Sequence, residues 1–279
     1  QGITGKSGQL LVRNSKNVII RNVELDGQNE KTLNWGPEDG LRVVYTDNLL
    51  VEHCYIHDFR QYFGEVEYAH EDAVQMPSGS HVTFRYNIFS NCGMLLYLGD
   101  IGWDNQWVNG ITIEHNLFYC ESGIGAGCYN SVVFGGINKF GNDTTRIENN
   151  TFVIRSDERP SRRVLYYSGK GMNNKTNNYF RNNLIYNSTL GDINQVPDHS
   201  YNCYYNPFKP ENVLTENGGI IADPLFVNYI GNDFHLQKSS PCIKKGMNLG
   251  WKFDLDGNKV AKKPSIGCYE PVKSKRQQQ

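Results

Sequence analysis

The sequence predicts an all-β solenoid, a parallel β-helix, because one short strand-like pattern returns along the chain and long helical patterns are missing. In each copy apolar residues alternate by two, a polar pair follows, and further apolar residues complete the pattern. This period belongs to strands, because helices repeat apolar residues three and four positions apart. Each copy therefore predicts one coil of about 30 residues. The copies are "NVIIRNVEL" (17–25), "NLLVEHCYI" (48–56), "HVTFRYNIF" (81–89), "GITIEHNLF" (110–118), "TRIENNTFV" (145–153) and "NYFRNNLIY" (178–186).

An asparagine column supports the coil assignment. Successive coils of a β-helix stack roughly 4.8 Å apart, so a buried amide can bond to equivalent residues above and below it. Cys54 occupies one position of the column without an amide. The predicted column is Asn22, Cys54, Asn87, Asn116, Asn150 and Asn183, at steps of 32, 33, 29, 34 and 33 residues.

A second set of strands precedes the first in each coil, and two of its members begin with the same acidic pair. "EDGLRVVYT" (38–46) and "EDAVQMPSG" (71–79) stand 33 residues apart. We therefore expect Glu38 to lie beside Glu71, Asp39 beside Asp72, and Arg42 beside Gln75. The remaining strands of this set are "QLLVRNS" (9–15), "MLLYLGD" (94–100), "NSVVFGG" (130–136) and "RVLYYSGK" (163–170).

Carboxylates stacked on adjacent coils repel one another unless a cation or protons intervene. Oxygen-rich clusters suit calcium, magnesium or manganese. We therefore predict a divalent cation, Ca²⁺ or Mg²⁺/Mn²⁺, with Asp39, Glu71 and Asp72 as its ligands. The alternative is that some of these carboxylates cap turns.

Bulk composition limits the classes of partner. The formal net charge is −1, which gives no case for nucleic acid or an anionic membrane. No apolar run is long enough to span a bilayer. We expect a single domain, residues 1–279, acting as a monomer. The chain starts at Gln1, which is what removal of a secretion signal would leave.

Residues 10–120 resemble the pectate-lyase-like superfamily, whose members are single-stranded right-handed parallel β-helices. The segments that carry the resemblance are "NVIIRNVEL", "EDGLRVVYTDNLLVEHCYI", "HEDAVQMPSGSHVTFRYNIF" and "GITIEHNLF". The resemblance implies calcium ligands at Asp39, Glu71 and Gln75, where Gln75 stands in place of the usual Asp. The family's catalytic arginine is missing from "YCESGIGAG" (119–127), and its lysine is missing from "CGMLLYLGD" (92–100). Pectate lyase chemistry therefore does not carry over.

A second resemblance lies in "ADPLFVNYIGNDFHLQKSSPCIKKG" (222–246), which is similar to the tail of many secreted bacterial β-helix proteins, including alginate-lyase-like ones. It implies that residues 222–270 are a C-terminal capping segment. Cys242 and Cys268 replace small residues of that tail, which implies a disulfide between them. An oxidising compartment then follows: the protein is expected to be secreted or extracellular, with the periplasm as the alternative location.

The chemistry that remains is β-elimination of a uronate chain, which needs a group to neutralise the carboxylate, a base and an acid. In size and layout the chain resembles a family of small alginate lyases, polysaccharide lyase family 31. That resemblance implies Tyr129 and Lys170 as the catalytic pair, with His70 as the rival base. Guanidinium groups pair with carboxylates, and we expect Arg13 and Arg42 on one face. The predicted substrate-binding residues are Arg13, Arg42, Gln75, Tyr97, Asn130 and Tyr166.

The sequence thus predicts a secreted lyase of an acidic polysaccharide, with alginate or polymannuronate as the favoured substrate. Three alternatives stay open. A glycoside hydrolase would pair Glu71 with Asp100 or Glu121. A uronate C5-epimerase would share the proton abstraction and keep the chain intact. A non-catalytic carbohydrate-binding β-helix would need no such chemistry.

Overall fold

The computed structural model describes residues 10–27, 39–59, 71–99, 107–121, 129–135, 139–140, 144–154, 163–168 and 177–271. These residues form β-strands and one 3₁₀ turn, Ile193–Gln195. The predicted all-β class is therefore confirmed. Within these ranges no helix has the length and apolar character needed to cross a membrane.

Two parallel sheets, A and B, form the walls of the coils, and each strand pairs with its equivalents on the neighbouring coils. Sheet A contains β1 (Leu10–Arg13), β2 (Lys16–Arg21), β4 (Leu41–Glu52), β6 (Asp72–Arg85), β8 (Met94–Gly99), β9 (Trp107–Glu114), β11 (Asn130–Gly135), β12 (Lys139–Phe140), β13 (Thr145–Glu148), β15 (Arg163–Ser168), β16 (Asn178–Arg181), β18 (Thr189–Gly191) and β19 (Asp198–Ser200). Sheet B contains β3 (Glu24–Asp26), β5 (Tyr55–His57), β7 (Ile88–Ser90), β10 (Leu117–Cys120), β14 (Thr151–Ile154), β17 (Leu184–Tyr186), β20 (Cys203–Tyr205) and β21 (Ile220–Ile221).

Sheet A divides into two arms. In two early coils one long strand, β4 or β6, runs through both strand segments that the sequence pattern separates. Tyr45 and Asn48 take left-handed backbone conformations, with φ of 52° and 58°, and bend β4 without ending it. Beyond β6 the arms separate, because the first part of β6 pairs with β8 and its last part pairs with β9. Asp39 and the pair Glu71–Asp72 therefore lie at the start of the first arm, which continues through β8, β11 and β15.

The asparagine column is confirmed from Asn87 onward. The Asn87 amide nitrogen donates to Asn116 Oδ1 at 3.0 Å, and Asn116 donates to Asn150 Oδ1 at the same distance. Asn183 and Asn202 continue the ladder. It ends where Asn202 donates to the buried carboxylate of Glu216. Each amide thus satisfies the polar groups of its neighbour inside the coil.

The prediction for Asn22 is wrong by one position. Arg21 pairs with Glu52 and Glu24 pairs with Tyr55, so Val23 is the residue beside Cys54. Asn22 instead occupies the preceding turn position, where its φ is 56°. Asparagine tolerates this left-handed conformation better than most residues, which explains its presence there.

A stack of phenylalanine rings fills the core behind sheet B. The ring centroids of Phe89 and Phe118 are 5.1 Å apart, and those of Phe118 and Phe152 are 4.8 Å apart. All three side chains are fully buried. Burial of such a ring contributes roughly 1.5–3 kcal/mol, so this stack holds successive coils in register.

The C-terminal segment lies along the outer face of sheet B. Its antiparallel pair, β22 (Phe226–Asn228) and β23 (Asp233–Leu236), belongs to one buried apolar cluster with outward side chains of β10, β14 and β17. The contacts extend across several coils. The segment therefore covers a side wall of the solenoid.

The predicted Cys242–Cys268 disulfide is wrong, because both thiols are free and buried. The Cys268 backbone N–H donates to Thr151 Oγ1 on β14, and the Cys242 backbone N–H donates to Ser240 Oγ within the C-terminal segment. Cys120 is disulfide-bonded, and its partner lies outside the described residues.

Candidate functional site

Three buried carboxylates meet where β4 and β6 begin. The Asp72 backbone N–H donates to Asp39 Oδ1 at 3.0 Å, and Gly40 N–H donates to the Asp72 carbonyl at 2.9 Å. The predicted neighbourhood of Asp39 and Asp72 is therefore confirmed. Glu71 precedes Asp72 directly, and only 3% of its surface is exposed. The parallel pairing of adjacent coils is what brings these residues together.

Burial has a strong electrostatic effect on Glu71. Loss of solvent, with the nearby charges of Asp39 and Asp72, raises the pKa of Glu71 to about 8. A carboxyl group in this state holds its proton at neutral pH unless positive charge is supplied. Glu71 is therefore suited to bind a cation or to exchange a proton with a substrate.

Buried oxygen atoms of this site without a hydrogen-bond partner among the described residues include Glu71 Oε2 and Gln75 Oε1. A buried polar atom without a partner is costly, so such atoms mark places where a ligand belongs. Carboxylate and amide oxygens are the donors that Ca²⁺, Mg²⁺ and Mn²⁺ prefer. Asp39, Glu71 and Asp72 offer donors of the right chemistry for a hard divalent cation, and Gln75 adds an oxygen, but the ligand atoms of the three carboxylates do not all lie within 4.8 Å of one another.

Gly93 occupies the coil between Glu71 and Tyr129. Gly93 N–H donates to the Glu71 carbonyl at 2.7 Å, and Tyr129 N–H donates to the Gly93 carbonyl at 2.9 Å. The three residues thus occupy one position on three coils. A Cβ atom on Gly93 would lie 2.6 Å from the Glu71 carbonyl oxygen, which only glycine avoids. The half-buried Tyr129 therefore lies two coils, roughly 10 Å, from Glu71.

The outward residues of the first arm form a column that contains four predicted substrate-binding residues. Arg42 pairs with Gln75, Gln75 pairs with Tyr97, Tyr97 pairs with Val133, and Val133 pairs with Tyr166. The predicted neighbourhood of Arg42 and Gln75 is confirmed.

Arg13 shares the outward face with Arg42, as predicted. It lies opposite Val44 on β4, two residues further along the strand than the Arg42 row. Arg13 is exposed and Arg42 is half-buried. Arg13 and Arg42 therefore lie on the outward face of the first arm of sheet A, the arm that starts at the acidic cluster.

Asn130 is the remaining predicted substrate-binding residue, and it occupies a later coil. Asn130 pairs with Met94 on one side and with Arg163 on the other. The Arg163 guanidinium lies over the ring of Tyr166, 4.4 Å from its centroid. Tyr97 is less accessible, because its ring lies over Gly135, where a Cβ atom would be 2.5 Å from it. The predicted residues His70 and Lys170 lie outside the described residues, as does Glu38.

Two features of the structure have no counterpart in the sequence predictions. Asp26 and His57, the last residues of β3 and β5 in sheet B, and Asp58, which follows β5, bring ligand atoms within 4.8 Å of one another. Burial lowers the pKa of His57, but the hydrogen bond and charge of Asp58, with Asp26 and Glu24, raise it overall. The step of 31 residues from Asp26 to His57 was the signal that could have revealed this cluster.

The second feature is a polar pocket of about 530 Å³ on sheet A, near Arg13. Hydroxyl, amide and charged side chains of the first coils surround it. Such groups suit the hydroxyls of a sugar. Its lining residues are Asn14, Ser15, Lys16, Tyr45, Thr46, Asp47, Ser80, His81 and Asn109.

A family model, described as a right-handed beta helix region, matches residues 3–152. This match covers more than half of the 279 residues. The chain belongs to the right-handed β-helix family. The predicted handedness is thereby confirmed together with the solenoid. Members of this family include polysaccharide lyases and other carbohydrate-active enzymes. No curated protein matches the chain.

Proposed function

We propose that the protein is a secreted lyase that cleaves an acidic polysaccharide, alginate or polymannuronate, by cation-assisted β-elimination. The observation that carries this proposal is Glu71. Its buried Oε2 has no hydrogen-bond partner among the described residues, and it lies beside Asp39 and Asp72. A β-helix family that includes polysaccharide lyases supports the same class of reaction.

Each residue of the site has a proposed role. A divalent cation, Ca²⁺ or Mg²⁺/Mn²⁺, held by Asp39, Glu71 and Asp72, would neutralise the uronate carboxylate and make its C5 proton more acidic. Tyr129, two coils from Glu71 in the same stack, exchanges the proton with C5 or with the leaving oxygen. Lys170 is its proposed partner and His70 the rival base.

The outward column of the first arm binds the substrate in this proposal. Arg42 and Arg13 pair with neighbouring uronate carboxylates through charge-assisted hydrogen bonds. Gln75, Tyr97, Asn130 and Tyr166 contact the sugar rings and hydroxyls. The near-neutral net charge makes nucleic acid and membranes poor partners, and the protein is proposed to act as a monomer.

The location is proposed to be secreted or extracellular, with the periplasm as an alternative. The disulfide at Cys120 supports it, because such bonds persist in oxidising compartments.

A glycoside hydrolase is the second candidate, favoured by the raised pKa of Glu71. A carboxyl that holds its proton at neutral pH can act as the general acid on a glycosidic oxygen. Its partner would be a second carboxylate across the bond. Glu121, one of the candidates for that role, accepts a hydrogen bond from Asn232 of the C-terminal segment.

Ultraviolet absorbance over time separates these functions. The protein is incubated separately with polymannuronate, polyguluronate, pectate and a glycosaminoglycan. Each substrate is tested with added calcium, with added magnesium and with a chelator. Rising absorbance on polymannuronate, abolished by chelator, is the expected result, because β-elimination creates an unsaturated sugar. Falling viscosity without absorbance would instead indicate a hydrolase. If neither changes, exchange of the C5 proton distinguishes an epimerase from a binding protein.

Variants test the individual roles in the same assay. Tyr129→Phe and Glu71→Gln should each reduce turnover at least 100-fold, on the scale of lost acid–base catalysis. Tyr205→Phe, on sheet B, is the matched control and should keep full activity. Full activity of Tyr129→Phe would move the proton transfer to His70 or Lys170.

A further inference from the structure

An imidazole and two carboxylates meet where the first two strands of sheet B end. Asp26 ends β3 and His57 ends β5, and the two residues pair in register on these neighbouring strands. Asp58 follows His57 in a left-handed conformation, with φ of 60°. One ligand atom from each of the three residues lies within 4.8 Å of the other two. Parallel pairing and one turn thus bring together side chains from two successive coils.

Both aspartates approach the same nitrogen of the imidazole ring. His57 Nδ1 is 2.7 Å from Asp58 Oδ2 and 3.7 Å from Asp26 Oδ1. A zinc ion lies about 2.0–2.2 Å from each donor, so its tetrahedral donors are roughly 3.4 Å apart. The two measured distances lie on either side of this value. Small rotations of the two carboxylates therefore suffice for one ion to bind all three atoms.

A third carboxylate faces the other ring nitrogen and fixes the ring. His57 Nε2 donates to Glu24 Oε1 at 3.3 Å, because an ionised carboxylate can only accept a hydrogen bond. A proton on Nε2 leaves the lone pair of Nδ1 to a metal, and metal-bound histidines commonly donate their other N–H to a carboxylate in this way. The Tyr55 ring stacks on the imidazole, with centroids 3.9 Å apart, and only 10% of the His57 side chain is exposed. The imidazole is therefore held in the orientation that a metal requires.

His235 also lies between two aspartates, but with a different geometry. Its Nδ1 lies 2.6 Å from Asp233 Oδ1, and its Nε2 lies 2.7 Å from Asp256 Oδ2. The two carboxylates flank opposite ring nitrogens, so one ion cannot bind both of them together with the imidazole. Among the described residues, no other group of three His, Cys, Asp or Glu side chains brings its ligand atoms within 4.8 Å of one another. The arrangement at His57 is therefore more than an ion pair of a histidine with aspartates.

We propose that Asp26, His57 and Asp58 bind a divalent metal ion of the zinc class. One nitrogen and two oxygens suit Zn²⁺ better than Ca²⁺ or Mg²⁺, which prefer oxygen donors alone. Three protein ligands leave a fourth position for water, and the half-exposed Asp26 side chain opens that position to solvent. The ion joins β3 to β5 and so fastens the first coil to the second. This site is distinct from the acidic cluster on sheet A and independent of the proposed lyase activity.

Calorimetric titration with zinc chloride tests the site. Untagged protein is treated with chelator, dialysed and titrated in excess calcium, which occupies sites made of oxygen donors alone. We expect one zinc ion to bind per chain. Absence of zinc binding under these conditions would overturn the proposal.

Variants assign the bound zinc to its ligands in the same titration. The carboxylate partner of a metal-bound histidine is worth about 10–100-fold in affinity, so Glu24→Ala should weaken binding by about 10-fold and His57→Gln by more than about 100-fold. Asp26→Asn replaces a half-exposed side chain and should also weaken binding with little risk to folding. His235→Gln is the matched control and should bind zinc like the wild type. Wild-type affinity in both His57→Gln and Asp26→Asn would contradict the proposal, and so would equal losses in His57→Gln and His235→Gln.

Cobalt absorption and thermal unfolding provide independent measurements. Co²⁺ accepts the same ligands as Zn²⁺ and absorbs visible light when bound, whereas Zn²⁺ does not. Wild type should develop an absorption that one equivalent of zinc removes and excess calcium does not. Zinc should also raise the Tm of the wild type and not of His57→Gln, because an ion that binds only the folded chain stabilises it. Removal of the cobalt absorption by calcium, or an equal rise in Tm in both proteins, would overturn the assignment.

Discussion

Glu71 couples the charge of the candidate site to the stability of the fold. Its carboxyl is buried beside Asp39 and Asp72, which raises its pKa from an ordinary 4.5 to about 8. Between these two pH values the folded chain binds more protons than the unfolded chain. The free energy of unfolding must therefore decrease as pH rises through this window.

The first prediction follows from this linkage. Glu71 should contribute a slope of up to about 1.4 kcal/mol per pH unit between pH 4.5 and 8, measured by urea unfolding in chelator. Glu71→Gln should flatten the profile and increase stability at pH 8. The exposed Glu211 is the matched control, and Glu211→Gln should leave the slope unchanged. Identical pH profiles of Glu71→Gln and wild type would show that Glu71 titrates normally.

Added cation should reverse the pH effect at the same residue. Ionised Glu71 repels Asp39 and Asp72, and a bound divalent cation removes that repulsion. Calcium, magnesium or manganese should therefore raise the Tm of the wild type more at pH 8 than at pH 5. Differential scanning calorimetry measures this. An equal Tm shift in wild type and Glu71→Gln would place the cation elsewhere, for example at Asp26, His57 and Asp58.

At the scale of the elements, we expect substitutions that interrupt the asparagine ladder to lower the free energy of unfolding strongly. Asn116 accepts two hydrogen bonds from Asn87 and donates to the Phe84 carbonyl and to Asn150. Asn116→Ala leaves these buried groups without partners and should lower the free energy of unfolding by about 3–5 kcal/mol. Asn194 is exposed, so Asn194→Ala should be nearly neutral. Urea denaturation compares the two, and similar losses would refute a special role of the ladder.

Cys54 occupies the ladder position that precedes Asn87. A substitution that introduces an asparagine there should extend the ladder by one coil. Asn87 Oδ1 already accepts the Cys54 backbone N–H at 2.9 Å. An asparagine at this position could donate to the Ile20 carbonyl, which the Cys54 thiol approaches at 3.8 Å. Cys54→Asn should therefore increase stability by about 1 kcal/mol, whereas Cys54→Ala should decrease it. A loss of stability in Cys54→Asn would show that the first coil is too tight for another amide.

The elements that repeat could be predicted from the sequence, and the contacts between unlike segments could not. A period near 32 residues places Arg42 beside Gln75 and Asp39 beside Asp72, because parallel pairing preserves register. Asn22 was misplaced because its coil lacks an asparagine at the next position. Cys242 was paired wrongly because its neighbour depends on how the C-terminal segment lies on sheet B. Asp26 and His57 do pair in register on β3 and β5, but Asp58 joins them from the turn after β5, outside the repeated strand pattern.

At the scale of the whole molecule, the C-terminal segment gives sheet B a second apolar layer. Leu117, Val153 and Leu184 point outward from three successive strands and are buried beneath this segment. A β-helix wall with such residues exposed would bind other apolar surfaces. The acidic cluster lies where β4 and β6 of sheet A begin. The segment that covers sheet B therefore does not obstruct this cluster. The segment thus stabilises one wall, and the proposed substrate face lies on another.

Removal of this layer is the last prediction. A chain that ends at residue 221 should aggregate or bind a hydrophobic dye strongly, because each uncovered large apolar side chain loses roughly 1.5–3 kcal/mol against a total stability of roughly 5–15 kcal/mol. A chain that ends at residue 271 is the control and should match the full chain in Tm. Phe234→Ala offers a milder test, since its ring is fully buried in the cluster and its loss should cost about 3–5 kcal/mol. A monomeric chain ending at residue 221 with unchanged Tm would mean that sheet B needs no cover, and that the coils alone supply the stability.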